Sequence, residues 1–130
     1  MMNGRGRQSE IALRAAERRR REDEAPRLVA RVPRLESLVL EIEERRPGAV
    51  SADVHHTKRV VVTHAPALFD LTCCDRSCKD GGHDITRSIM YELERGSTDF
   101  EGEDTCHGAL GSTQCSRVLR YKAKASYKDN

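Results

Sequence analysis

All five cysteines of this 130-residue chain, Cys73, Cys74, Cys78, Cys106 and Cys115, fall between residues 73 and 115. No other feature limits the fold as strongly. An odd number leaves one thiol unpaired in any disulfide scheme, and clustered thiols in a chain without a secretory signal favour metal or redox chemistry. The first 25 residues lack the apolar stretch of a signal peptide, and no run of about 18 apolar residues is present to span a bilayer. The expectation is a cytoplasmic protein with no membrane partner.

Zn²⁺ takes about four soft or borderline ligands in a tetrahedron, and a closed set of four cysteines is structural because no position remains for water or substrate. The expected ligands are Cys74, Cys78, Cys106 and Cys115, with Cys73, His83 and His107 as substitutes. Cys73 and Cys74 both lie within reach of Cys78 in sequence. Neighbouring side chains on a strand point to opposite sides, so one of the two is expected to ligate and the other to pack as a small apolar residue. Residues 107–114 read as a hairpin loop that returns Cys115 to Cys106. A metal suits the composition. Hydrophobic residues make up 37%, with no Trp, and a small core of that kind gains from a staple. Redox-active thiols and a catalytic cysteine are the competing readings, and no recognised spacing of Cys and His supports the latter.

Along the chain, residues 1–26 form a basic arm, read as disordered or as a solvated helix over residues 8–25. Ser9 is the candidate cap, and Glu17 with Arg21 an i,i+4 pair. The apolar stripe is thin, and Arg18, Arg19, Arg20 and Arg21 circle the helix. Pro26 and Pro33 interrupt helical geometry, and the domain proper is assigned to residues 27–130. Alternation predicts strands around Leu38, Leu40 and Ile42, at Val60 to Val62, and from Leu68 to Leu71, with residues 49–57 as a connection. A turn at Gly81-Gly82 leads into the clearest helix, with Asp84 as cap, Ile85, Ile89 and Leu93 on one face, and Gly96 past the end. Strands are then expected over residues 99–105 and 116–127. The fold class is α+β: a small, mainly antiparallel sheet with one packed helix, zinc-stabilised, and the basic N-terminal segment outside the core.

The formal net charge of +2 conceals a division: residues 1–34 sum to +5, residues 35–114 to −7 and residues 115–130 to +4. The basic ends suggest an anionic partner. Arg18, Arg19, Arg20 and Arg21 in the arm, with Arg117, Arg120, Lys122 and Lys124 near the end, are the expected phosphate contacts of a non-enzymatic zinc-binding protein that meets nucleic acid or a nucleoprotein. The alternative is a protein–protein adaptor or regulatory subunit using the acidic middle and an open sheet edge. A metal- or thiol-dependent enzyme is the third reading.

Overall fold

Two long strands set the architecture, because their alternating residues give one face to a core and the other to water. The computed structural model describes residues 3–48 and 53–129. β1 (Leu35–Arg45) buries Leu38, Leu40 and Ile42 while Glu36 and Glu41 face outward. β2 (Val54–Val61) pairs with it antiparallel, from Leu38 opposite Val61 to Arg45 opposite Val54. β3 (Asp70–Leu71) and β4 (His83–Asp84) make a short separate ribbon. β5 (Asp99–Thr105) and β8 (Val118–Tyr127) complete the main sheet, in the order β2-β1-β8-β5 with every neighbour antiparallel. Between them lies a hairpin of β6 (Ala109–Leu110) and β7 (Thr113–Gln114).

One helix, α3 (Thr86–Glu94), adds Ile89, Met90 and Leu93 to the core formed by the inner face of the sheet. Its N-cap is Ile85, with no side-chain cap bond, and not Asp84 as expected; Asp84 stands one residue earlier and accepts the Thr86 amide on Oδ1 at 3.1 Å. The end is a Schellman cap: Gly96 at φ +80° and the Ser97 amide donate to the Leu93 and Glu92 carbonyls, as Gly at C′ permits. Leu28, Leu35, Phe69 and Ile85 close the core around it.

The protein is thus α+β with a mainly antiparallel sheet and few helices, but several expectations about its elements change. The strand expected at Val60 begins at Val54, and His55, His56 and Lys58, assigned to a connection or left outside the strand, pair with β1. Residues 49–52 of that connection lie outside the described residues. β2 is an edge strand that buries only Val61, so it carries no apolar alternation to betray it. Leu68 to Leu71 does not join the main sheet, and only Asp70 and Leu71 pair, with β4. The N-terminal helix α1 (Asn3–Glu24) begins before Ser9, which is therefore not its cap; Met1 and Met2 lie outside the described residues.

From Ala12 onward α1 is exposed except at Ala15 and Arg21, which are half-buried. Arg20 rather than Arg21 holds Glu17, at 2.5 Å, and Arg21 instead reaches Asp70 and Asp84. The short helix α2 (Leu28–Arg31) follows. The amides of Leu28 and Val29 donate to Ala65 and Thr63, and the Ala67 amide to Pro26, so ladder bonds to the folded part begin at Pro26. Among the described residues no helix is long and apolar enough to cross a membrane.

Candidate metal centre

The loops at one end of the molecule bring four thiols together. The chain leaving β3 carries Cys73 and Cys74, and alternation sends them apart. Cys73 Sγ lies 3.7 Å from Cys115 Sγ, whereas Cys74 donates its amide to Glu44 Oε2 at 2.8 Å. Asp75 then folds the chain back, accepting the Ser77 amide on Oδ1 and the Cys78 amide on its carbonyl. Lys79 and Ala109 exchange a pair of 2.9 Å backbone bonds, which presses Cys78 Sγ to within 3.6 Å of Cys106 Sγ. The β6–β7 hairpin returns Cys115, whose amide donates to Gly108 at 2.8 Å.

Cys73, Cys78, Cys106 and Cys115 therefore offer four sulfurs within 4.8 Å of one another, and none is in a disulfide. A tetrahedron with metal–sulfur bonds of about 2.3 Å has sulfur–sulfur edges of about 3.8 Å. The Cys73–Cys115 and Cys78–Cys106 separations, 3.7 and 3.6 Å, match that edge. The set differs from the expected one by a single residue: Cys73 stands where Cys74 was placed, because the side of the chain, not the spacing to Cys78, decides which thiol faces the others.

Two glycines press close on the Cys78 and Cys106 sulfurs. A Cβ at Gly81 would sit 2.4 Å from Cys78 Sγ and 2.5 Å from Cys106 Sγ, and one at Gly108 would sit 2.3 Å from Cys78 Sγ. Both positions require glycine for closeness, not for backbone freedom. The amides of Gly82 and Gly108 point at Cys106 Sγ from 3.4 Å. Burial raises the Cys106 thiol, but these amides together with the neighbouring Cys78 and Cys115 thiols outweigh it and hold it below the usual thiol range. Burial dominates at Cys78 and at Cys74, each pushed up to about 12, and it raises Cys73 as well. Such thiols stay protonated until a cation displaces the protons.

Neither histidine offered as a substitute ligand joins the cluster. His83 is fully buried between two carboxylates, with Nδ1 2.8 Å from Asp104 Oδ2. Its Nε2 lies 2.8 Å from Glu44 Oε1, at ion-pair distance but not aligned as a hydrogen bond. Burial opposes the charge on His83, yet the two carboxylates hold its pKa above the ordinary value. Glu44 is lowered against burial by His83 and the Cys74 amide. His107 is exposed and sits 3.1 Å from Gln114 Nε2. The Glu44–His83–Asp104 group was not foreseen: its members come from three distant elements with no local spacing.

The basic residues expected to contact phosphate are arranged differently from a phosphate-binding face. Arg117 is buried, with Nε 3.8 Å from Asp75 Oδ2, because strand parity puts 117 with Leu119 and Tyr121 rather than with Arg120. On the outer face of the sheet each β8 cation stands between acids or beside one. Arg120 lies between Glu43 and Glu103, Lys122 between Glu41 and Glu101, and Lys124 between Val39 and Asp99. Arg120 Nε is 3.2 Å from Glu103. A shallow recess of about 910 Å³ runs over these rows. Arg18 and Arg19 remain exposed on α1.

Compared with protein families, with curated proteins and with solved structures, the chain shows no significant match.

Proposed function

We propose that this chain is a zinc-stabilised, non-catalytic protein-interaction module of a reducing compartment. The observation that carries the metal reading is the convergence of Cys73, Cys78, Cys106 and Cys115, whose sulfurs all lie within 4.8 Å of one another, with two pairs at 3.7 and 3.6 Å. Thiolates suit Zn²⁺, and four of them leave no open position for a substrate, so the ion's work is to fix loops that small cores cannot fix alone. A protein partner is favoured over nucleic acid because the cations of β8 are interleaved with Glu41, Glu43, Asp99, Glu101 and Glu103. Alternating signs cancel over a few ångströms, whereas a phosphate backbone selects for a continuous stripe of one sign. The exposed Arg18 and Arg19 support the nucleic-acid reading, which the same experiment examines.

Purified protein is expected to hold one zinc per chain. Cys73→Ser, Cys78→Ser, Cys106→Ser and Cys115→Ser each lose it, and Cys74→Ser keeps it. Binding to a mixed RNA or DNA pool is expected to be negligible at about 50 mM salt, where electrostatic attachment is strongest. A metal-free, cooperatively folded wild type overturns the zinc reading. Tight binding with a steep salt slope, lost on charge reversal at Arg18 and Arg19, overturns the protein-module reading.

A further inference from the structure

The two free edges of the main sheet carry opposite charge, and their pattern continues one into the other. β2 holds His55, His56, Lys58 and Arg59 with no acid. β5 holds Asp99, Glu101, Glu103 and Asp104 with no cation. Neither edge is paired further among the described residues. Val60, 69% exposed, lies on the basic edge, and Val62, 65% exposed, just past it.

The pairings define rows across the outer face. One runs Lys58, Glu41, Lys122, Glu101, and its neighbour His56, Glu43, Arg120, Glu103. The sign alternates strand by strand, so the next strand beyond β5 is called upon to be basic. β2 and β8 both run antiparallel to β1, and β5 runs antiparallel to β8. A second molecule in the same orientation therefore presents its β2 antiparallel to β5. The row register sets Glu101 beside Lys58 of that copy and Glu103 beside its His56. On the inner side it sets Asp104 beside His55.

We propose that the partner of this module is a second copy of the chain, added edge to edge through β5 and β2. This rests on the protein-module reading and names its partner. Main-chain bonds supply the attachment, as in β-augmentation, and the opposed charges fix register and orientation. The contact is heterologous, so each added copy leaves the same two edges open and assembly proceeds to short linear oligomers or a ring.

The test is sedimentation velocity of the zinc-loaded full chain over a range of concentration, at low and at high salt. Wild type is expected to oligomerise, less so at high salt. Replacing one attractive pair by a repulsive one is expected to weaken association about tenfold, in Lys58→Glu and in Glu101→Lys alike. The double exchange Lys58→Glu with Glu101→Lys, and an equimolar mixture of the two single variants, are both expected to assemble again. Neither rescue follows from repaired folding, because the new charges still oppose their own neighbours within each molecule. Zinc content and circular dichroism establish that each variant is folded. A wild type that stays monomeric at low salt overturns the proposal, and so does a double exchange that fails to assemble. Both results leave the protein-module reading intact if nucleic acid is still not bound.

Discussion

Gly108→Ala tests the metal centre through a residue that is not a ligand. The added Cβ would lie 2.3 Å from Cys78 Sγ, 2.6 Å from Gly81 Cα and 2.8 Å from Gly81 N. Relief needs a shift of about 1 Å, while a metal site tolerates about 0.2 Å in its bonds. Two of the three nearest atoms are backbone, so the loop carrying Cys78 must separate from the loop carrying Cys106. That movement weakens the two backbone bonds of the Lys79–Ala109 bridge. Overpacking of about 1–3 kcal/mol and two hydrogen bonds near 1 kcal/mol each give about 3–5 kcal/mol. If it falls on the loaded state, zinc affinity drops by about a hundred- to several-thousand-fold. Competition with a chromophoric chelator measures it. Gly96→Ala is the control: with φ +80° and nothing within 4 Å of its Cβ, it costs about 1–2 kcal/mol of backbone strain and leaves zinc affinity unchanged. A Gly108→Ala protein with wild-type affinity would refute the reasoning.

Three further perturbations act on the buried and surface charges. His83→Gln leaves Glu44 buried without a cation and is expected to cost about 3–5 kcal/mol in urea unfolding. Because the folded pKa of His83 is raised, its contribution is full below about pH 6.5 and is lost as pH rises through the folded value; the deficit of the variant is therefore larger near pH 6 than near pH 9. Glu44, lowered in the fold, contributes above its unfolded pKa and loses that contribution as pH falls through its folded one, so Glu44→Gln closes the difference from wild type only in acid. Deleting residues 1–24 removes exposed pairs such as Arg21 with Asp84, worth about 0–1 kcal/mol each, and is expected to shift Tm by only a few degrees.

The parts of this protein that announce themselves in sequence are those whose side chains alternate or recur against one core. Leu38, Leu40 and Ile42 mark β1, Leu119 to Tyr127 mark β8, and Ile85, Ile89 and Leu93 mark α3. The thiols were legible as a group because five cysteines confined to one short stretch point to a shared chemistry. What stayed hidden was set by pairing rather than by pattern. β2 owes its length to the β1 backbone, and its own side chains are polar on both faces. Whether Cys73 or Cys74 turns inward depends on where the β3–β4 ribbon ends, a contact between segments 12 residues apart. The need for glycine at 81 and 108 appears only when the two loops close on each other. Arg117 is legible as well: the odd numbering that buries Leu119, Tyr121, Ala123 and Ala125 assigns it to the inner face.

β8 occupies the middle of the sheet yet is the last of the described strands to be synthesised. Until it arrives, β5 has no neighbour and β1 has only β2, and a lone two-stranded hairpin is marginal in water. Cys115, the fourth thiol of the cluster, sits three residues ahead of Val118, the first residue of that strand. A nascent chain thus gains its closing thiol and its central strand within the same few residues of translation. At about 5–20 residues per second, the step from Cys106 to Cys115 takes about 0.5–2 s, with the other three thiols of the cluster already made. On the metal reading, ion capture and strand insertion then coincide, and the commitment to fold waits for β8.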